Sequence, residues 1–159
     1  MAHEVVPDGA GARTQGVDLA SYSLDELAGG PAARRAGIKI LEVQPGQARI
    51  CMDVTNDMLN AYGNCHGGYV FLLADTALGV AANAKAAVSV AAHASIDYLI
   101  GVGPGVRVYA TAQEVTRYGG GQRSALYDVY VEDESGALCA TLRGMTRTVS
   151  PTRAAHDLM

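Results

Sequence analysis

The sequence has no run of lysine or arginine, and acidic residues outnumber basic ones, which gives a formal net charge of −4. Proteins that bind DNA or RNA obtain much of their affinity by neutralising phosphates, so this charge balance argues against a nucleic-acid partner. The chain also lacks a helix-turn-helix pattern. A small ligand with a few phosphates is not excluded.

Patterns typical of metal sites and disulfide frameworks are missing as well. The three cysteines, Cys51, Cys65 and Cys139, are scattered, and no CxxC, HxxxH or clustered-carboxylate spacing occurs. No metal site is therefore expected. An odd number of scattered cysteines is typical of a protein with reduced thiols, which predicts a cytoplasmic location.

Neither a signal peptide nor a membrane span is predicted. Residues 1–16 lack the apolar stretch of a secretory signal. The longest apolar segment, about residues 68–84, is rich in alanine and glycine and is interrupted by Asp75 and Asn83. These features favour a buried core helix over a membrane-spanning one, so no membrane partner is expected.

The length and composition predict one domain with a sizeable core, because 49% of the residues are hydrophobic and only 18% are charged. We place this domain at residues 19–150, with a flexible N-terminal segment at 1–18 and a C-terminal tail at 151–159. Residues 21–37 fit one short helix, with Ser23 as N-cap, Glu26 three residues later, and Gly29-Gly30-Pro31 as a stop.

The remaining pattern is one long helix followed and preceded by strands. Residues 38–43 and 47–55 read as a hairpin around Pro45-Gly46, and residues 88–100, 106–115, 125–133 and 138–149 are strand-like. Short turn-rich linkers favour antiparallel neighbours. The expected fold class is α+β, a long apolar helix wrapped by a curved antiparallel sheet of about five strands.

One acid stands in the middle of the apolar helix. Asp75 has apolar neighbours, among them Leu72 and Ala74. A structural role, with the carboxylate satisfied by hydroxyls or amides, is one interpretation. A buried acid in such surroundings also suits a nucleophile or a general base towards water, and we favour this functional interpretation.

Two glycines mark the start of the same helix. Gly67 and Gly68 either serve turn geometry alone or let a substrate carbonyl approach the free N–H groups of a helix N-terminus, where a developing oxyanion would be stabilised. The neighbouring pair Cys65-His66 is a poor thiol–imidazole dyad, because adjacent side chains rarely point at each other. His66 is expected to orient the loop by hydrogen bonds, and Cys65 to be a small packed residue.

The spacing of these residues limits how they can cooperate. Gly67 and Asp75 are eight residues apart, which is about 12 Å on a helix. An oxyanion donor and a base must both lie within about 3 Å of one reacting centre, so they cannot serve one carbonyl from the same helix. Two helices placed side by side and antiparallel would solve this. The spacing therefore predicts a homodimer of twofold symmetry with shared active sites.

Together these residues form the pattern N-x5-H-G-G-x6-D: Asn60, His66, Gly67, Gly68 and Asp75. The pattern resembles the HGG branch of the hotdog-fold thioesterases. Within this branch the chain resembles the phenylacetic-acid-degradation (PaaI-type) family more closely, over MLNAYGNCHGGYVFLLADTALGVAANAK, SIDYLIGV, YATAQEV, LYDVYV and LCATLRGMTRTV. These segments cover most of residues 35–149.

The resemblance implies a function and roles for these residues. It implies hydrolysis of an acyl-CoA thioester such as phenylacetyl-CoA or hydroxyphenylacetyl-CoA, in aromatic degradation. Asp75 would be the nucleophile or general base, and the Gly67 N–H would polarise the thioester carbonyl from the other subunit. Asn60 would hold the carbonyl or water, and His66 would support that loop. No metal or redox cofactor is implied, because coenzyme A is part of the substrate. A dimer of dimers is implied.

The chain departs from this family at two places. Relatives can have a water-orienting Ser or Thr after the central helix; here that position falls near Ala91 or Ala92, and the nearest hydroxyls are Ser89 and Ser95. The loop RYGGGQR is about two residues longer than in relatives, near the rim where CoA phosphates lie. Candidate substrate-binding residues are Gly68, Tyr69, Arg117 and Arg123, with interface packing as the alternative for Tyr69.

Two other functions fit the same fold. One is a non-catalytic acyl-CoA-binding protein, which would normally need a DNA-binding part that this chain lacks. The other is a hotdog hydratase or dehydratase, in which a histidine and an acid, here His66 and Asp75, would face each other across subunits. The HGG context favours thioester hydrolysis over both.

Overall fold

The computed structural model describes residues 26, 30–85 and 87–149. Ser23 and the segments 1–18 and 151–159 lie outside these residues, so the predicted domain limits stay predictions. None of the described helices combines the length and hydropathy that a membrane crossing requires.

The first described helix, α1, spans Pro31–Arg35. Gly30 is non-helical, as the predicted stop requires, but Pro31 begins a separate helix, so a single helix over residues 21–37 is wrong. Gly30 is the N-cap residue and Pro31 occupies the first turn. Proline suits this position because its missing N–H would have no helical partner there and its fixed φ already matches the helix.

The hairpin predicted around Pro45-Gly46 is confirmed. Strands β1 (Lys39–Gln44) and β2 (Gln47–Asp53) are antiparallel, and Gln44 pairs with Gln47 across the turn. Gly46 has a φ of +82°, a left-handed conformation that favours glycine.

The long helix, α2, spans Gly67–Asn83, and short 3₁₀ turns lie at Asn56–Met58 and Gly120–Gln122. The later strands are β3 (Ser89–Tyr98), β4 (Arg107–Tyr118), β5 (Ser124–Asp133) and β6 (Leu138–Thr148). All neighbouring strands are antiparallel, in the order β1-β2-β4-β5-β6-β3. The α+β class and the hotdog arrangement are confirmed, with six strands in the sheet instead of about five.

Helix α2 contacts all six strands, so it packs across one face of the whole sheet. The alternation predicted for β4 and β5 is confirmed, since one face of each strand is buried. These buried residues are Val108, Ala110, Ala112, Ala125, Tyr127, Val129 and Val131. The apolar faces of helix and sheet thus form one core.

The helix and β6 approach each other most closely at Gly144. A Cβ at this position would lie 2.7 Å from Leu78 Cδ2 and 3.3 Å from Leu142 Cδ2. A methyl group here would overlap Leu78, which follows Asp75 by three residues on α2, unless a core side chain or the backbone shifted. This contact sets the distance between the middle of the helix and the sheet.

The C-terminal end of α2 is fixed by a buried amide. The Asn83 amide group donates to the Ser89 carbonyl oxygen (2.8 Å) and accepts from the Ser89 N–H (3.0 Å). The Ser89 hydroxyl lies 3.2 Å from the Thr148 hydroxyl. The start of β3 is therefore tied to the helix end, and the Ser89 side chain points at β6.

Candidate active site

His66 is the N-cap residue of α2. Its backbone is extended, and its Nδ1 accepts a hydrogen bond from the Gly68 N–H at 2.9 Å. The His66 N–H donates to the Met58 carbonyl at 2.8 Å. The preceding Cys65 N–H donates to the Val102 carbonyl at 2.7 Å. Short-range and long-range bonds thus hold the helix start in place.

Gly67 presents an N–H that donates to none of the described residues, while its carbonyl accepts from the Tyr98 hydroxyl at 3.0 Å. A free N–H in the first helical turn is a donor for negative charge on a ligand. The Tyr98 side chain was not among the predicted site residues. Its only signal in the sequence was its place in SIDYLIGV, and nothing local connects it to a glycine 31 residues earlier.

Asn60 shapes the loop that precedes the helix. Its Oδ1 accepts from the Tyr62 N–H at 2.9 Å and from the Asn64 N–H at 3.2 Å. Its Nδ2 donates to no residue of the described ranges. The side chain lies at the edge of a cavity, so this amide nitrogen is the part of Asn60 that can contact a ligand.

A cavity of about 410 Å³ opens beside the helix start. We refer to it as the helix-start pocket. It is lined by Asn60, Tyr62, Asn64, Cys65, Gly67, Val70, Tyr98, Leu99, Ile100, Gly101, Val102 and Cys139. Its volume lies in the range of small-molecule sites, about 300–1,000 Å³, and its lining combines apolar walls with the free donors at Gly67 and Asn60.

Asp75 lies half-buried in the middle of α2, and burial raises the pKa of its carboxyl. It makes no hydrogen bond or ion pair with the described residues. The neighbouring Thr76 hydroxyl donates instead to the Leu72 carbonyl at 2.7 Å. A half-buried carboxylate without a partner destabilises the isolated chain, which is typical of a functional acid rather than a structural one.

The structure does not bring Asp75 and Gly67 together within one chain. Both lie on α2, eight positions apart, so the separation of about 12 Å is confirmed by the unbroken helix between them. The part of α2 that the sheet leaves accessible includes Gly68, Leu72, Asp75 and Gly79. This accessible stripe is where a second helix could supply the missing half of the site.

The thiol–imidazole dyad is not formed. The Cys65 thiol lies 3.7 Å from the His66 carbonyl oxygen, and burial raises the pKa of this thiol, which keeps it protonated. All three cysteines are buried and unbridged. Within the described ranges, no cluster of three or more His, Cys, Asp or Glu side chains could hold a metal ion.

Neither candidate hydroxyl on β3 replaces the water-orienting residue. Ser89 is buried against Asn83 and Thr148. Ser95 pairs with Arg143 and lines a cavity on the outer face of the sheet, away from α2. Ala91 pairs with Thr146, next to a bulge at Ala92. The described strand therefore offers no hydroxyl to Asp75 from within the same chain.

Arg117 belongs to a network of charged and polar side chains near the C-terminal end of α2. Its Nε lies 3.2 Å from the Glu114 carboxylate, which also accepts from Lys85 Nζ at 2.7 Å and from the Tyr127 hydroxyl at 2.8 Å. Burial opposes ionisation of Glu114, but the bonds from Lys85 and Tyr127 outweigh it and lower the pKa of Glu114. Arg117 also donates to the Gln122 carbonyl at 3.2 Å, so its charge is already compensated.

Arg123 lies in a second pocket, of about 540 Å³, at the end of the sheet near the C-terminus of α2. Arg147 lines the same pocket, with Gly119, Gly120, Ser124, Thr148 and Val149. Neither guanidinium forms an ion pair or hydrogen bond within the part of the chain that is described. The sequence missed Arg147, although its spacing in β6 places it opposite Ser124.

Tyr69 packs partly buried against the core and is not part of the helix-start pocket. Asn60, His66 and Gly67 are thus brought together, with Gly68 beside them. Asp75 lies at mid-helix, and Arg117 and Arg123 lie towards the other end of α2.

Comparisons with known proteins agree with this geometry. A family model described as the Thioesterase superfamily matches residues 62–140. The chain is 36% identical over 120 residues to the acyl-coenzyme A thioesterase PaaI of Escherichia coli K12, covering 76% of this chain and 84% of that protein. The structure of the E. coli PaaI protein from the phenylacetic acid degradation operon superimposes with a TM-score of 0.72 at 33% identity, covering 77% and 87% of the two chains. A mutant of the phenylacetic acid degradation protein PaaI from Thermus thermophilus gives 0.70 at 35% identity, covering 75% and 99%.

Proposed function

The chain belongs to the thioesterase superfamily and is a thioester hydrolase, and we propose that its substrate is an aryl-acyl-CoA such as phenylacetyl-CoA or hydroxyphenylacetyl-CoA. The observation on which the catalytic assignment depends is the half-buried Asp75 carboxylate, which has no partner among the described residues. The similarity to PaaI proteins of E. coli and T. thermophilus, named for phenylacetic acid degradation, supports the aromatic acyl group. A role in phenylacetate catabolism follows from the same proposal.

In the proposed reaction, the Asp75 carboxylate removes a proton from a water molecule, whose oxygen attacks the thioester carbonyl carbon. The carbonyl oxygen becomes an oxyanion that accepts a hydrogen bond from the Gly67 N–H. When the tetrahedral intermediate collapses, the carbon–sulfur bond breaks and coenzyme A leaves as the thiol, taking up the proton that Asp75 removed from water. In the alternative, Asp75 attacks the carbonyl carbon, the carbon–sulfur bond breaks with loss of coenzyme A as thiolate, and water then hydrolyses the mixed anhydride, which releases the acid and restores the Asp75 carboxylate. Desolvation makes the carboxylate a stronger base, which helps both routes.

The site is shared between two protomers in this proposal. Asp75 of one protomer and the partner subunit's Gly67 act on the same carbonyl, because the two groups are about 12 Å apart on one helix. The accessible stripe of α2 around Gly68, Leu72, Asp75 and Gly79 supports an antiparallel helix contact. The homodimer, its assembly into a dimer of dimers and the cytoplasmic location stay predictions.

The helix-start pocket would hold the acyl group. Its rim contains the Gly67 N–H, so a thioester whose oxygen binds there would direct its acyl group towards Leu99, Ile100 and Val102. Asn60 Nδ2 would hold the water or the carbonyl. His66 would keep its role as the helix cap, and Gly68 would allow close approach of the substrate.

Phosphate groups of coenzyme A would bind at Arg123. This guanidinium and that of Arg147 lie in one pocket without a described partner, in a chain whose net charge is negative. Two uncompensated guanidinium groups suit phosphate oxygens. Arg117 is a weaker candidate, because Glu114 and the Gln122 carbonyl already occupy its N–H groups.

The activity is tested by measuring thiol release from a panel of aryl-acyl and straight-chain acyl-CoAs. Wild type is compared with Asp75→Asn, which keeps the shape of the side chain, and with Asp97→Asn, an exposed carboxylate on the other face of β3, as the matched control. We expect Asp75→Asn to lose at least about 100-fold in kcat and the control to keep its activity. Full activity in Asp75→Asn would refute the catalytic assignment, and a preference for straight chains would refute the aromatic substrate.

The shared site is tested by mixing two inactive variants, Asp75→Asn and Gly67→Val. The valine side chain would block the approach of a carbonyl to the Gly67 N–H. Hybrid dimers should regain activity at one of their two sites. If subunit exchange is confirmed and no activity returns, the shared site proposed here is wrong.

The alternatives named from the sequence have less support. A hydratase or dehydratase would need His66 as a general base, but its Nδ1 accepts from the Gly68 N–H, so the neutral ring has its proton on Nε2 and no free lone pair to accept another. A non-catalytic acyl-CoA-binding protein does not require an unpartnered acid in the middle of α2. Absence of turnover with every thioester in the panel would favour this second function.

A further inference from the structure

The Gly67–Gly68 peptide group is held at both of its ends. Its carbonyl accepts from the Tyr98 hydroxyl at 3.0 Å, and its N–H donates to His66 Nδ1 at 2.9 Å. One bond comes from the neighbouring cap residue and the other from the last residue of the edge strand β3. We propose that Tyr98 is a positioning residue: together with His66 it fixes the Gly67–Gly68 peptide group and so limits the backbone rotation of Gly67, which keeps the free N–H of the preceding His66–Gly67 peptide directed towards the thioester carbonyl.

The carbonyl of the His66–Gly67 peptide accepts from the Tyr69 N–H at 2.9 Å, but two consecutive glycines follow this peptide, so a second restraint on the Gly67 backbone strengthens the alignment. Glycine has access to a wider range of φ and ψ than any other residue, so an unrestrained Gly67 could rotate its N–H away from the substrate. An oxyanion donor stabilises the transition state only when it is already aimed at the developing charge. This inference rests on the proposed function, in which the Gly67 N–H is that donor.

The ring of Tyr98 also explains why residue 67 has no side chain. A Cβ on Gly67 would lie 3.0 Å from Tyr98 Cζ and 3.2 Å from its Cε1 and hydroxyl oxygen. The ring is 54% exposed and lines the helix-start pocket, so it is not held there by burial in the core. The Tyr98 side chain is therefore held at the entrance to the site by two contacts with Gly67, the packing of its ring and the hydrogen bond of its hydroxyl.

Tyr98→Phe removes the hydroxyl bond and keeps the ring. We expect kcat for acyl-CoA hydrolysis to fall about 5- to 50-fold with KM unchanged, which is less than the roughly 10²–10³-fold typical for complete loss of an oxyanion donor. The melting temperature should fall by no more than about 4 °C. The matched control is Tyr130→Phe, because Tyr130 is 45% exposed on the outer face of β5. The control should keep the wild-type kcat.

A kcat of Tyr98→Phe equal to that of wild type would overturn the inference. So would a loss of activity explained entirely by a large fall in melting temperature. These outcomes are distinct from failure of the proposed function, because that failure would appear as an inactive wild type.

A second experiment tests the packing without any activity measurement. Gly67→Ala should lower the melting temperature, because the new methyl group meets the Tyr98 ring at 3.0 Å. In the double variant Gly67→Ala/Tyr98→Ala the ring is absent, so the second substitution should restore part of the loss. Strictly additive shifts in melting temperature would mean that the two residues do not contact each other, and the inference would be wrong.

Discussion

The contact between Gly144 and Leu78 gives a prediction whose size follows from the structure. In Gly144→Ala, the new Cβ would lie 2.7 Å from Leu78 Cδ2, whereas optimal carbon–carbon contacts are about 3.5–4.0 Å. Leu78 is fully buried, so relieving the overlap requires its side chain to adopt another rotamer within the core or α2 and β6 to move apart. Overpacking of this kind costs about 1–3 kcal/mol of unfolding free energy. For a chain of this length we expect the melting temperature to fall by about 2–12 °C.

The assay is thermal unfolding followed by circular dichroism, at equal protein concentration for all variants. Gly103→Ala is the matched control, because nothing lies within 4 Å of its Cβ and its φ is not left-handed. Replacing Leu78 by alanine in the Gly144→Ala background should cost less than the sum of the two single changes, because the clash is relieved. A melting temperature of Gly144→Ala equal to that of wild type would refute the reasoning about helix–sheet distance.

Three further predictions follow from the polar groups. Burial raises the pKa of the native Asp75 carboxyl above the value of an unfolded one, about 3.9. The free energy of unfolding of wild type therefore falls as the pH rises through the interval between these two values. In thermal melts, Asp75→Asn should be more stable than wild type at pH 7, and this difference should disappear on acidification. Glu114→Gln leaves Lys85 without its anion and should cost about 1.5–3 kcal/mol in urea unfolding at pH 7. The native pKa of Glu114 is lowered, so the stability that its charge contributes is lost as the pH falls through this pKa. If Glu114→Gln still lowers the free energy of unfolding by the same amount well below this pKa, the role given to the Glu114 charge is wrong. His66→Ala removes the helix cap and should lower stability by about 1 kcal/mol, whereas a neutral result would mean that the Gly68 bond is not stabilising.

Sequence periodicity was sufficient for elements whose signal is local. Helix α2 was predicted because its apolar run starts after a glycine pair, and the alternation in β4 and β5 fixed their buried faces. The motif placed Asn60, His66 and Gly67 close together for the same reason, since they are neighbours in the chain. The helix that starts at Pro31 was not predicted, because proline was considered only as a residue that stops a helix and not as one that suits a first turn.

Local sequence patterns did not predict which distant segments lie next to each other. Strand β3 follows α2 directly but pairs with β6 at the far side of the sheet, which no local pattern specifies. The Tyr98 hydroxyl therefore reaches Gly67 only because this crossover brings the end of β3 to the helix start. Arg123 and Arg147 line the same pocket for a similar reason, because the register of β5 and β6 brings them close together.

The two edge strands of the sheet differ in how easily a strand of another chain could pair with them. The edge strand β1 contains Lys39 and Glu42 and a register shift between Ile40 and Glu42, features that prevent another strand from adding to it. The opposite edge, β3, has no Asp, Glu, Lys or Arg from Ser89 to Ile96 and exposes Val90. Of the two edge strands, an uncovered β3 is thus the one to which a strand of another chain can add more easily. A lysine at position 90 would be a direct way to improve the solubility of an isolated protomer.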